Sequence, residues 1–519
     1  MGNTNDFVDE EMECDEGTQS KEWMDEGVCE SDEESILPEL DIRSDDEVDE
    51  VVSDEDDEKQ SEFTDSQYEK YKRSCRKKHS NEVSEEDDGD RNDCKWKGNM
   101  QDPEDMEYSE GESCDLHVET EEDGDETMDV ILGGRNHQLL AVSGKDGNPI
   151  WQFDADNQER ERWYQFYTGQ FIDDQNQDGV LDWLTSNGGD PTMAPNTPRG
   201  NGYLMVISGA TGEILAVSDT PDGRETYMSP LIYQPHPLME TEVIFGTGGE
   251  TWDGGLWTTS IDAIMTGDIT DALRIVDPVP GVAKGVMAPP SIADMTLDGI
   301  QDLIVSTFDG RLIALDGRNY SEIWTVDVKE HASDETITDA ESWSSPALGF
   351  FTDDAVPDVF THYVYGAFPM YTGSTSVLID GASGEVLWME ETNHTSFTSP
   401  LAVNLDGDGR DEILMIRGAG ELFSGNEAYT FHNTASVLNT CGMVLTDLYT
   451  RDYMSIGTPT VADLDSDGDL ELIATTTTGY SSSTASWTVT RMDLNSLTPD
   501  YLSWGSYLGT NYDGVFESD

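Results

Sequence analysis

Basic side chains are scarce: the 519 residues include 27 Lys and Arg against 109 Asp and Glu, a formal net charge of -82. Nucleic-acid binding depends on clustered cations that neutralise phosphates, so that class of function is excluded. Cysteine is scarce as well. Five of the six (Cys14, Cys29, Cys75, Cys94, Cys114) fall within the first 128 residues without a CxxC spacing, and Cys441 stands alone afterwards. Residues 129–519 therefore hold no internal disulfide, and no zinc motif is present. No apolar run approaches the roughly 18 residues of a membrane span. The first residues lack the charged-then-apolar signal-peptide pattern, and Asp6 stands where a myristoylation motif after Gly2 has Ser or Thr. The residues present thus give export no support.

Aliphatics are also sparse in residues 1–128, which carry 49 of the acidic and 12 of the basic side chains. Such a segment buries too little apolar surface to offset chain entropy, and the expectation is a disordered acidic tail. One basic island, Lys70 to His79, reads as local charge balance within it.

What is abundant is a nine-residue acidic loop. In Asn404-Leu-Asp406-Gly-Asp408-Gly409-Arg-Asp-Glu412, oxygen donors stand at positions 1, 3, 5 and 9 and a glycine at 6, followed by the apolar run Ile413 to Ile416. Hard oxygen donors in a tight turn suit Ca2+, and the glycine supplies the backbone angles. An EF-hand places its closing Glu at position 12 between helices. Here the acid is at 9 and a strand follows, so the motif is a β-hairpin calcium loop. Full copies begin at Asp174, Asp294 and Asp463. Degenerate ones run from Gln234 to Glu242 and from Phe350 to Asp358, the latter keeping Asp354 and Asp358.

First positions at 174, 234, 294, 350, 404 and 463 give steps of 54 to 60 residues, the period of a β-propeller built of short strands. A second repeat is a hairpin with a Gly-containing turn, as in Leu139 to Trp151, Leu204 to Leu215, Leu312 to Trp324 and Val377 to Trp388, with weaker copies at Ile261–Val276, Ser436–Leu448 and Val489–Trp504. The expected fold is an all-β, seven-bladed propeller of four-stranded blades over residues 129–519. Blade 1 combines 129–155 with 505–519, closing the ring by pairing the two ends. Blades 2 to 7 span 165–220, 225–280, 286–328, 340–392, 396–450 and 455–504.

These repeats resemble the FG-GAP or VCBS repeat of the integrin α-subunit propeller and of many microbial surface proteins. The hairpins also resemble the quinoprotein (PQQ-type) propeller repeat. The first resemblance implies about four Ca2+ ions. Their side-chain ligands would be Asp174, Asn176, Asp178 and Asp182; Asp294, Thr296, Asp298 and Asp302; Asn404, Asp406, Asp408 and Glu412; and Asp463, Asp465, Asp467 and Glu471, with main-chain carbonyls from Val180, Ile300, Arg410 and Asp469. The two degenerate loops depart from the ligand pattern, and the terminal copy at Ser506–Glu517 lacks its position-1 acid.

The second-to-third and fourth-to-first connections emerge on the opposite face. They carry Trp252, Trp257, Tyr363, Tyr365, Phe368, Tyr371, Phe423 and Tyr429, the expected partner-binding side chains. A further set, Tyr167, Tyr227, Met287, Trp343, Phe397 and Ile456, recurs just before each first strand and is expected to line the channel mouth. Trp151, Trp324, Trp388 and Trp504 read as packing between blades. The leading function is a non-catalytic, monomeric binding or adhesion module for a protein or glycan at the cell surface or outside the cell. A polysaccharide lyase or hydrolase, a quinoprotein-like oxidoreductase and a cytoplasmic scaffold stand as alternatives.

Overall fold

The computed structural model describes residues 115–120 and 127–516 apart from short stretches, the longest being 154–164 and 420–431. The acidic segment before residue 115 lies outside the described residues. Seven antiparallel sheets follow one another, six with at least four strands and the last with three. Blade 4 shows the plan. Ser291–Ala293 pairs with Asp302–Ser306, which pairs with Arg311–Leu315, which pairs with Glu322–Asp327. The second and third strands carry apolar runs at 303–305 and 312–315 buried on both faces, as expected of sheets stacked against neighbours on each side.

Two tryptophans lock consecutive blades. Trp324 at the end of blade 4 donates its indole N–H to Gly381 O in the turn of blade 5 at 2.9 Å, and Trp151 of blade 1 does the same to Gly209 O of blade 2. The glycines Gly384 and Gly212, at φ 76° and 72°, lie flat under those rings. A Cβ there would come within 2.7 and 2.5 Å of ring atoms. The repeated Gly of the hairpin turn is thus fixed by both backbone angle and close approach. Around the axis, Ser345 N–H donates to Ser399 Oγ and Ser399 N–H to Thr458 Oγ1, tying blades 5, 6 and 7 through the residues that precede their first strands.

The ring does not close as the repeat spacing predicts. The first strand of blade 1 is Asp115–Thr120, paired antiparallel with Asp129–Gly133, and not the segment 505–519. Residues 502–516 instead run along the axis. There Trp504 bridges Ala402 of blade 6, Val461 N–H donates to Gly505 O, Val515 pairs with Ile292 of blade 4, and Gln170 of blade 2 donates to Tyr512 O. Trp504 and Leu508 are fully buried and Phe516 nearly so, making this segment an apolar plug among the first strands. Trp504 therefore packs in the channel and not between blades.

Other corrections are local. Ile261–Thr266 is a short helix capped by Ser260 and Gly267, so the third strand of blade 3 is Leu256–Thr259. Blade 7 has no fourth strand among the described residues, because Ser486–Leu497 continues as one long strand. The segment carrying Tyr363, Tyr365 and Tyr371, expected as a connection, is mostly strand, with Asp358–Ala367 running into Met370–Ile379.

Candidate metal centre and loop face

The four acidic loops share one backbone. Positions 4 and 6 adopt positive φ in each: Gln177 and Gly179, Leu297 and Gly299, Gly407 and Gly409, Ser466 and Gly468. Glycine at 6 relieves the strain there, while position 4 carries it on an ordinary residue in three of the four. The position-1 side chain caps the turn, Asp174 accepting from Gly179 N–H at 2.8 Å, Asp294 from Gly299 N–H at 2.7 Å and Asp463 from Gly468 N–H at 3.1 Å. Position 5 accepts from the N–H of position 7, at 3.0 Å for Asp178, Asp298 and Asp467 and 2.7 Å for Asp408.

The closing acid opens the second strand and is buried. Asp182, Asp302, Glu412 and Glu471 are each 6% exposed or less, and one oxygen of each accepts from the N–H of position 2. The backbone thus fixes each carboxylate and leaves lone pairs aimed into the loop. In blade 6 the oxygens of Asp406, Asp408 and Glu412 lie within 4.8 Å of one another, as do those of Asp463, Asp465 and Glu471 in blade 7. Oxygen donors in such a cage fit a hard divalent cation.

Blades 2 and 4 supply an amide and a hydroxyl at position 3, Asn176 and Thr296. Neither makes a three-acid group, though Asn176 already contacts Asp178 at 2.8 Å. Two loops hold an arginine on their carboxylates: Arg318 contacts Asp298 at 3.0 Å, and Arg491 contacts Asp465 at 2.5 Å and Glu471 at 3.1 Å. Both are roughly half exposed, on the solvent side of their loops.

Burial pushes up the closing acids Asp182, Asp302 and Glu412. Without a metal, Glu412 is raised to about 8, first by desolvation and then by Asp406, and Asp302 to about 6, mainly by desolvation. Their folded-state values exceed the unfolded value near 4, so the stability they contribute is complete below that pH and is lost as pH rises through 6 to 8. The chelated chain is therefore expected to melt at progressively lower temperature from pH 5 to pH 8. Saturating calcium should flatten that dependence, because the ion favours the ionised carboxylates. Calorimetric scans across this range, with and without chelator, check it; parallel slopes would contradict the cage.

One further closing acid lies outside the loops that the sequence pattern singles out. Asp129 is 1% exposed and accepts from Gly144 N–H at 3.0 Å, as Asp182 does from Gly209 and Asp302 from Gly317. Counting back from it places Glu121, Asp123 and Asp125 at positions 1, 3 and 5. The acidic spacing is there in the sequence, but Glu126 stands at position 6, where the terminal copy has Gly514. Residues 121–126 lie outside the described residues. The terminal copy keeps the backbone, with Tyr512 and Gly514 at positive φ and Asp513 accepting from Val515 N–H.

At the opposite ends of the strands the connections form a buried polar network. Arg199 pairs with Glu250 at 2.8 Å and donates to Tyr227 Oη at 3.0 Å. Lys284 bonds Glu341 and Glu250 O, and Tyr371 donates to Glu341 at 2.7 Å while accepting from Trp343 Nε1 at 3.0 Å. Glu225, 2% exposed, is pushed up to about 7, mainly by burial. Of the channel-mouth set, Tyr167 meets Tyr227 edge-on at 5.8 Å and Trp343 meets Phe397 at 5.8 Å, so these rings do converge. Ile456 lies outside the described residues.

The expected partner-binding aromatics divide. Trp257, Tyr363 and Tyr365 are at most 9% exposed and belong to the blade cores, because the strands that carry them extend further than the spacing suggests. Trp252 is half-buried, with Arg224 stacked 5.3 Å above its ring and its N–H on Thr197 O at 2.9 Å. Tyr371 is half-buried in the network. Phe368, Phe423 and Tyr429 lie outside the described residues.

No family model and no curated protein matches the chain. Solved structures similar to it include a europium-containing methanol dehydrogenase, at 12% identity over 68% of this chain and 72% of that one, with a TM-score of 0.44. The quinohemoprotein alcohol dehydrogenase ADHIIG from Pseudomonas putida HK5 is also similar, at 12% identity over 72% and 66%, with a TM-score of 0.44. So is BamB from Moraxella catarrhalis, at 13% identity over 70% and 81%, with a TM-score of 0.36. At such identities the likeness concerns the fold alone. Among the described residues no helix is long and apolar enough to cross a membrane.

Proposed function

We propose that this chain is a calcium-stabilised propeller of the FG-GAP or VCBS kind that binds a protein or glycan on its loop face, outside the cell and as a monomer. The observation that carries the reading is the recurrence of one loop backbone, with one set of carboxylate contacts, in four blades at the same end of the strands. Calcium there makes the ring rigid and leaves the other end free to carry recognition. Weak oxygen-ligand loops fill at the millimolar levels found outside cells. On the recognition end, the half-buried Trp252 ring carries Arg224 stacked over one face, with Arg224 paired to Asp253, an aromatic and charged surface suited to a sugar ring or a protein side chain.

The test is a panel of immobilised glycans and purified surface proteins probed with the full chain in calcium. Saturable binding that Trp252→Ala abolishes at unchanged melting temperature supports the reading. Tight uptake of pyrroloquinoline quinone with alcohol-dependent reduction of an artificial electron acceptor would overturn it in favour of an oxidoreductase.

A further inference from the structure

Blade 5 departs from the loop pattern in a way that reassembles a cage from different residues. Its position 1 is Phe350, whose ring packs edge-on against Phe516 of the axial plug at 5.4 Å, so the usual capping acid is gone. Positions 4 and 6, Asp353 and Ala355, are not among the residues with positive φ, so the loop takes a backbone different from the other four. Yet Thr352 at position 3, Asp354 at 5 and Asp358 at 9 remain. The structure adds Asp380 from the turn between the third and fourth strands of the same blade. Oxygens of Asp354, Asp358 and Asp380 lie within 4.8 Å of one another.

A second observation points to a missing ligand. Asp358 is fully buried. Its Oδ1 accepts from Gly381 N–H at 3.2 Å, but Oδ2, which in the other loops receives the position-2 N–H, has no hydrogen-bond partner. The hydroxyl of Thr352 faces the same carboxyl and favours its charged form, but lies outside ordinary hydrogen-bond geometry. A buried carboxylate oxygen left unpaired is costly, and a bound cation is the partner that three converging acids call for. In blade 4 the residue equivalent to Asp380 is Asp316, held by Arg318 through its Nε and Nη2. In blade 5 Ala382 stands in the place of Arg318, so no guanidinium from that turn neutralises the group.

We propose that blade 5 holds a further divalent-cation site, suited to Ca2+, in which Asp380 from the neighbouring turn replaces the position-1 ligand and joins Thr352, Asp354 and Asp358. The proposal rests on the calcium reading of the propeller but uses residues that reading leaves out. Asp354 accepts from Val356 N–H at 2.8 Å, and Asp380 accepts from Ser383 N–H and Oγ at 2.7 Å, so each turn is preorganised before an ion arrives. Asparagine at either position keeps an oxygen to accept those bonds, and neither substitution touches the core.

Equilibrium dialysis of the full chain against Ca2+ alone tests it, with D380N, D354N and, as a control in blade 7, D465N. The expected result is that each of the three variants binds one ion fewer than the unmutated chain while melting unchanged in chelator. If D465N loses an ion and D380N and D354N lose none, the blade 5 site is wrong and the four-loop reading stands. If the unmutated chain binds no calcium, both fail.

Discussion

Moving the full chain from about 10 mM calcium into chelator is expected to lower its melting temperature by roughly 10 °C. At about 100-fold above a dissociation constant near 10⁻⁴ M, each filled loop contributes about 2.7 kcal/mol. Four loops together contribute roughly 10 kcal/mol. For the 391 residues from Asp129 onward, an unfolding entropy of about 2.1 cal/mol/K per residue converts this to a shift on the order of 10 °C. The direction is reinforced by charge, because the emptied cages leave the carboxylates of Asp406, Asp408 and Glu412 clustered without a counter-ion. The same chain in magnesium should recover less, since Mg2+ demands a tighter octahedron and gives up its waters reluctantly. Differential scanning calorimetry in the three conditions checks all of this. A melting temperature indifferent to chelator would reduce the loops to solvated turns.

Trp504→Ala is expected to cost about 3–5 kcal/mol, the range for emptying a buried aromatic site. The ring is fully buried in the axial plug, against Gly509, and its own backbone is bridged to Ala402 in blade 6. Trp504→Phe should cost much less. The indole N–H is buried and makes no hydrogen bond, so only part of the ring volume is lost. Denaturant titration of the two variants separates the roles. Equal and small losses would mean that the segment 502–516 does not hold the blades together.

The fold and the loops were legible in the sequence because both are local. Each of the four full loops draws its ligands from nine consecutive residues, and the hairpins of blades 2 and 5 announce themselves by a glycine that lies under a tryptophan. Closure was not legible. The strand Asp115–Thr120 is only six residues long and stands beside an acidic run that reads as tail, whereas the copy ending at Glu517 advertises itself by Asn511, Asp513 and Gly514. That copy does fold with the repeated loop backbone, but its neighbours are first strands around the axis and not the second strand of blade 1. The buried aromatics were misplaced for a related reason. Tyr363 and Tyr365 stand just before Gly366, Phe368 and Pro369, which read as a loop, yet their strand continues to Ala367 and they turn into the blade 5 core. The pairing of Arg199 with Glu250 and of Lys284 with Glu341 joins residues 51 and 57 positions apart, which no local pattern foretells.

The central claim is that hard divalent cations fill the acidic loops, and counting them is the most direct test. Metal analysis of the full chain after dialysis against calcium with a magnesium excess should find at least four calcium ions per chain, with one lost on D408N in blade 6. A calcium content of zero, or one unchanged by D408N, would contradict it.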